Sequence, residues 1–306
     1  MWVTRQPVLR RFWYAVMPLV RLSAGPQRFT LLGEKLVLWL QPDGTPAARR
    51  AIDPDVLQPS AASIAAPAPL CQARYGHVWV ALAEPLRGIF DIPEDSDPGY
   101  RRIEQFDARW RTGALRLMEN SFDAAHFAFV HKGTFGQFSQ QKPEFFELRE
   151  TDHGFEAETL LTINNPPASH RITGTTEPTT KRHFRNQWHL PFSRRLGLEY
   201  PNGLRHVIFT CATPVDDHHI QLLQWLYRND TEADCPAALL NDWDGRVIEE
   251  DREILESVDP NAPVDVARRE EFSMPSDRPG LIMRRQLLEL LQAHGEKEVY
   301  ESADTT

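Results

Sequence analysis

The 306-residue chain predicts an α+β fold: a small β domain, then a larger domain whose antiparallel sheet grips long helices. Three observations carry this. The first third reads as short strands separated by turn signals. Strand-like stretches recur between residues 154 and 228. Two long helical segments follow them.

In chain order, FWYAVMPL (12–19) and RFTLLGEKLVLWLQ (28–41) read as strands, closed by the turn PDGTP. AIDPDVLQPSAASIAAPAPL (51–70) is rich in Pro, Ala and Ser and reads as a loop. YGHVWVALAEP (75–85) returns as a buried strand. IPEDSDPGY (92–100) is acidic with two prolines and marks the boundary, giving a β domain over 1–98 and a second domain over 99–295. ALRLMENSFDAAHFAFVH reads as helical to about residue 130. Strands follow at 154–165, 180–190, 203–215 and 219–228. Residues 236–258 read as one long helix. A last helix runs over about 278–294, with Ser276 or Asp277 as N-cap and Pro279 in its first turn. The polar tail 296–306 is expected to fray.

Composition narrows the function. With 41% hydrophobic and 25% charged residues, the chain buries a sizeable core. No run approaches eighteen apolar residues, so no membrane span is expected. MWVTRQPVLRRFWYAVMPL lacks a continuous apolar core and a cleavage site, so no signal peptide is expected. A net charge of −9 argues against nucleic acid. Cys71, Cys211 and Cys235 are widely spaced, which fits a reduced cytoplasmic protein.

ENSFDAAHFAFVH (119–131) gathers two acids, an amide and two histidines in an apolar run. His126 and His131 are five apart, about 140° around a straight helix. They can share an ion only if the helix bends or ends between them. Lys132-Gly133 supplies the C-terminal signals. Asn120, Asp123 and His126 then fall on one face, with His131 curling in from the end. Two histidines leave a metal short of a ligand, and a carboxylate suits an iron that keeps positions open. Helix 236–258 offers one: Asp251 sits inside the stripe Leu240, Trp243, Val247, Ile248, Ile254, Leu255, Val258. An acid there needs a cation or hydrogen bonds. Its neighbours Glu249, Glu250 and Glu253 read as solvated. Without a metal, Asp251 would pair with an arginine.

E-N-x-x-D-x-x-H-x-x-x-x-H, matched by Glu119 to His131, resembles the iron motif of the Rieske non-haem iron oxygenases, in their terminal (α) component. EEDREILES (249–257) resembles the segment that donates the third ligand, and GHVWVALAEP the strand ending the family's N-terminal domain. The style is that of the vanillate and methylxanthine demethylases. The resemblance implies a Rieske-like β domain, a helix-grip (Bet v1/START-like) catalytic domain, mononuclear Fe(II) held by His126, His131 and Asp251, and a trimer. It implies that Asp123 orients His126 and lines the electron path, with Asn120 behind the ligands near the open position. The chain departs from the family at one point. The [2Fe–2S] ligand pattern C-x-H…C-x-x-H is missing; no cysteine precedes Cys71, and His77 follows it by six. The expectation is therefore a degenerate Rieske-like domain with no [2Fe–2S] of its own. A reductase or ferredoxin bearing a Rieske cluster would supply NAD(P)H-derived electrons, and O₂ and a small aromatic or heterocyclic substrate would complete the reaction. The oligomer would be a homotrimer or hetero-oligomer.

Two other classes compete. A catalytically silent scaffold or ligand-binding subunit need not hold about one iron per chain. A zinc hydrolase would act without oxygen or reductant, and the five-residue histidine spacing disfavours it. Phe129, Phe135, Phe138, Trp188 and Trp225 are candidates for an apolar pocket wall or for plain core. His183, His189 and His206 on strands, and His218-His219 in a turn, read as packing or surface residues.

Overall fold

The computed structural model describes residues 1–51, 68–139 and 142–300. Most of the loop expected at 51–70 lies outside these residues.

The first 81 residues carry two small sheets. β1 (Tyr14–Pro18), β6 (His77–Ala81) and β5 (Leu70–Arg74) form one, in that order. β2 (Gln27–Leu31), β3 (Glu34–Leu40) and β4 (Pro46–Arg50) form the other. Each strand of the β2–β3 hairpin alternates buried and exposed side chains, the signature of a half-buried sheet. β6 is buried throughout, as its unbroken apolar run predicts.

The larger part is a seven-stranded antiparallel sheet in the order β7-β13-β12-β11-β10-β9-β8. β7 (Arg101–Trp110), β8 (Phe145–Thr151) and β11 (Ser193–Glu199) have mixed or charged sequences with weak alternation, and sequence reasoning misses all three. β9 (Gly154–Asn164), β10 (Thr179–His189), β12 (Arg205–Pro214) and β13 (Ile220–Arg228) stand where expected. Along β10, Thr180, Arg182, Phe184, Asn186 and Trp188 are buried, with polar neighbours between them.

Helices α1 (Ala114–Phe122), α4 (Ala237–Leu255) and α5 (Arg278–Ala293) contribute buried faces to the core, with short helices α2 (Phe127–Val130) and α3 (His170–Thr173) between. Asp277 is the N-cap of α5, as expected. The main core runs from Leu9 in a 3₁₀ turn (Pro7–Arg11), and Leu36 and Val80 of the N-terminal sheets, through Met118 of α1 to Met283 and Leu287 of α5. No helix among the described residues is long and apolar enough to cross a membrane.

The tail does not fray at 296. Glu298 has a side chain only 3% exposed and accepts backbone N–H bonds from Val264 and Asp265. The Val299 carbonyl accepts from the Trp2 backbone N–H. A carboxylate with this many donors, including the nearby Met1 ammonium, outweighs the local polarity that suggested disorder.

Candidate metal centre

α1 stops at Asp123, whose backbone is extended (φ −81°, ψ 114°). Its carboxylate accepts from the backbone N–H groups of Ala125 at 2.8 Å and His126 at 3.2 Å. An aspartate that captures N–H groups two and three residues on competes with the helix for them. The continuous helix to residue 130, with Asn120, Asp123 and His126 on one face, is therefore corrected. One break comes before His126, and α2 then ends at Val130, between the two histidines, as their spacing requires.

The consequence is convergence. His126 opens α2, and His131 opens a 3₁₀ turn over His131–Gly133. Gly136 then folds back on both: its N–H reaches the His131 carbonyl at 2.8 Å, and a Cβ there would lie 2.1 Å from the Phe127 carbonyl. The two Nε2 atoms end 3.2 Å apart. Asp251 of α4 brings Oδ1 to 3.5 Å from His126 Nε2 and 3.4 Å from His131 Nε2. Bonds of ~2.1 Å to one ion put neighbouring donors roughly 3.0–3.4 Å apart, in octahedral or tetrahedral geometry. The three donors therefore fit a shared divalent ion.

Electrostatics favours the ligand state of His131 and of Asp251. Burial, the largest influence, lowers the His131 pKa, so the ring is neutral with a free lone pair. Burial pushes the Asp251 carboxyl up, but a hydrogen bond with His126 and the nearness of His131 outweigh it. They hold the group below the usual carboxylate range. Asn120 donates its amide to Asp251 Oδ1 at 2.9 Å, so it fixes the carboxylate directly.

Glu250 was expected to be solvated. It instead sits 2.9 Å from His131 Nδ1 and accepts from Thr134 Oγ1 at 2.8 Å. A carboxylate behind a histidine fixes its tautomer and strengthens its other nitrogen as a ligand. Nothing in the periodicity of 236–258 distinguishes Glu250 from Glu249. The far end of the expected stripe also differs: Ile254 and Val258 are 48% and 42% exposed. Asp123 Oδ2 stands 3.8 Å from His126 Nδ1, which has no hydrogen-bond partner.

A cavity of about 110 Å³ opens beside the three donors. At ~30 Å³ per water it holds roughly three to four waters, or one small ring. Phe127, Phe184, Leu196, Ile208, Trp243 and Val247 form its apolar wall. Of the aromatic candidates from sequence only Phe135 lines it. Trp188 and Trp225 are core, and Phe129 and Phe138 are exposed.

The cavity also has polar walls: Arg182, Arg194, His206, Gln224 and Asp244. Burial pushes the Asp244 carboxyl up to about 6, and Gln105 donates to it at 2.7 Å. An unfolded aspartate ionises near ~3.9. The folded site resists that charge, so Asp244 costs stability as pH rises from about 4 through about 6. Asp244→Asn is expected to gain stability relative to the parent over that interval, read as urea midpoints at pH 5 and pH 7.5. An unchanged difference between the two pH values would show that Asp244 is not buried in this way.

Residues 110–293 match the family model described as the vanillate O-demethylase oxygenase C-terminal domain. This covers well over half of the chain. The chain belongs to the vanillate O-demethylase oxygenase family. The matched region runs from the last residue of β7 to the last of α5, and contains every donor described above.

Family relatives place it further. Methylxanthine N1-demethylase NdmA of Pseudomonas putida is 28% identical over 237 residues, 74% of this chain and 61% of that protein. The chain thus spans about three-fifths of that curated relative. Among solved structures, the P. putida NdmA QL mutant with theobromine superposes with a TM-score of 0.72 at 21% identity, covering 99% of this chain and 100% of that one. Dicamba monooxygenase bound to 3,6-dichlorosalicylic acid gives 0.73 at 17% identity, covering 94% and 99%. The α+β fold of a Rieske oxygenase, expected from the motif, is borne out.

Proposed function

We propose that this chain is a terminal oxygenase component that hydroxylates, or O- or N-demethylates, a small aromatic or heterocyclic substrate. The convergence of His126, His131 and Asp251 beside a ring-sized cavity carries the reading. A site of two histidines and one carboxylate suits mononuclear Fe(II) with open positions. When bound, that ion supplies the activation of O₂. A demethylation balances as a methyl ether or N-methyl compound, O₂, NAD(P)H and a proton giving the demethylated product, formaldehyde, water and NAD(P)⁺.

The chain's residues divide the remaining work. Glu250 keeps His131 oriented and Asn120 keeps Asp251 oriented. Phe127, Phe184 and Trp243 hold the ring and exclude water. Asp123 sits between His126 and an outer cleft that Asn120, Arg284 and the fully exposed Phe272 also line. This supports Asp123 as the point where electrons enter from a docked Rieske [2Fe–2S] domain, carried by a separate reductase or ferredoxin that uses NAD(P)H. Residues 1–98 are read as a degenerate Rieske-like domain without a cluster, 99–295 as the catalytic domain. The assembly is a homotrimer or hetero-oligomer in the cytoplasm.

The test is reconstitution. Loaded anaerobically with Fe(II), the purified chain is expected to hold about one iron and to show no [2Fe–2S] absorption or EPR signal. Formaldehyde from methoxybenzoates or methylxanthines should appear only with O₂, NADH and a Rieske-bearing reductase. A clear cluster signal in the chain alone overturns the borrowed-electron scheme. Turnover without oxygen overturns the oxygenase.

A further inference from the structure

The cavity has two ends. Asp251 marks the metal end. Asp244 lies seven residues earlier on the same helix, about 10.5 Å along its axis at ~1.5 Å per residue. At that far end stands Arg182, projecting from the buried side of β10 and only 6% exposed. Its guanidinium lies 5.0 Å from the Phe135 ring and 5.3 Å from the Tyr200 ring. Among the described residues it makes no hydrogen bond, no carboxylate oxygen comes within 4.0 Å, and its Nε is buried without a partner. Two rings cover a guanidinium's faces and leave its N–H edge free. Asp244 is close enough to feel this charge but not to accept its hydrogen bonds, so the buried N–H edge is a donor set that an oxyanion in the cavity would satisfy.

The charges around it narrow what that is. Arg194, on the same cavity, is pushed down to about 10 by burial and donates only to Asn186 Oδ1, at 2.7 Å; Asp251 is the carboxylate that influences it. A divalent ion at the metal end would take up Asp251's charge and leave Arg194 uncompensated. Asp244, raised only to about 6, is charged at neutral pH and is the one acid besides Asp251 that lines the cavity, while His206 is held neutral by burial, with no hydrogen-bond partner for its Nε2 among the described residues. With Asp251 committed to the ion, two guanidiniums, Arg182 and Arg194, face one remaining acid. Phe135 spans the gap: its ring is 4.7 Å from that of His131 and 5.0 Å from the Arg182 carbon. The guanidinium thus stands within about ten ångströms of the His131 ring, within reach of one substituted ring.

Resting on the oxygenase reading above, we propose that Arg182 is a specificity-determining residue that grips an oxyanion of the substrate, a carboxylate or phenolate, at the end remote from the metal. The substrate is then a single-ring aromatic anion whose reacting group points back toward His126, His131 and Asp251. A neutral heterocycle pairs the Arg182 N–H edge with no charged acceptor.

The test is binding to the iron-loaded, reductant-free chain by calorimetry, with benzoate, 4-nitrophenolate and neutral benzamide as probes. At least one anion is expected to bind tenfold or more tightly than benzamide. Which of the two binds separates carboxylate from phenolate. Arg182→Gln should weaken that anion at least tenfold and leave benzamide unchanged, and Arg182→Lys should recover part of the loss. Iron content in both variants reports whether the site is still folded. Benzamide binding as tightly as both anions overturns the proposal, even if no variant folds. So does anion binding unaffected by Arg182→Gln, which would place the probe on the iron. A chain that never turns over, yet binds anions through Arg182, refutes the oxygenase reading and keeps this one.

Discussion

Asp251→Ala is expected to cut bound iron from about one per chain to under about a tenth of that, and to bring turnover below detection. Two imidazoles alone hold divalent iron weakly. The reason for the loss is local. Asp251 supplies the only carboxylate oxygen that lies within 3.5 Å of both Nε2 atoms among the described residues. Unfolding does not explain it. Alanine favours the helix by up to ~0.7 kcal/mol, and the hydrogen bonds lost from Asn120 and His126 are worth about 1 kcal/mol each, so the metal-free variant loses on the order of 1–2 kcal/mol and stays folded. Metal analysis and thermal melts of the apo proteins separate the two effects. Glu250→Gln is the companion variant, since Glu250 touches His131 from behind. It should weaken iron by ~10–100-fold rather than abolish it. Iron retained in Asp251→Ala and lost in Glu250→Gln would exchange their roles.

Asp123 divides binding from turnover. Asp123→Ala is expected to keep its iron and lose turnover by ~100-fold or more with the reductase, because among the described residues Asp123 is the carboxylate beside His126 Nδ1, which has no hydrogen-bond partner there. The same carboxylate also caps the backbone at Ala125 and His126. Asp123→Asn keeps an oxygen for those two N–H groups and removes the charge. If both variants lose turnover, the charge on the electron path is what matters. If Asp123→Asn is normal and Asp123→Ala is not, Asp123 is a backbone cap. Normal turnover in both ends the electron-path role.

His126, His131 and Asp251 were legible because each is a polar group in an apolar context, and the mismatch shows in one dimension. Asp251 stood out against Val247 and Leu255. Glu250 did not, because it lies beside other acids on a half-exposed face and only the fold reveals His131 opposite it. The helix end at Lys132-Gly133 was legible; the earlier break at Asp123 was not, because hydrogen-bond competition by aspartate leaves no trace in hydrophobic periodicity. Arg182 was readable in principle. It shares the inward parity of β10 with Phe184, Asn186 and Trp188, and a charge on that parity is a signal. β7, β8 and β11 went unseen because charged side chains on their solvent faces dilute the alternation.

The order of the large sheet bears on how the protein matures. Its edge strand β7 pairs with β13, setting Trp110 opposite Ile220. During synthesis, the segment carrying both imidazoles therefore leaves the ribosome long before its neighbouring strand exists, and longer still before α4. Distant pairings of this kind form late. Until α4 has emerged a nascent chain cannot clasp a cation between all three donors, so loading must follow the synthesis of that helix. Cells starved of the metal during translation could then still be rescued by supplying it afterwards.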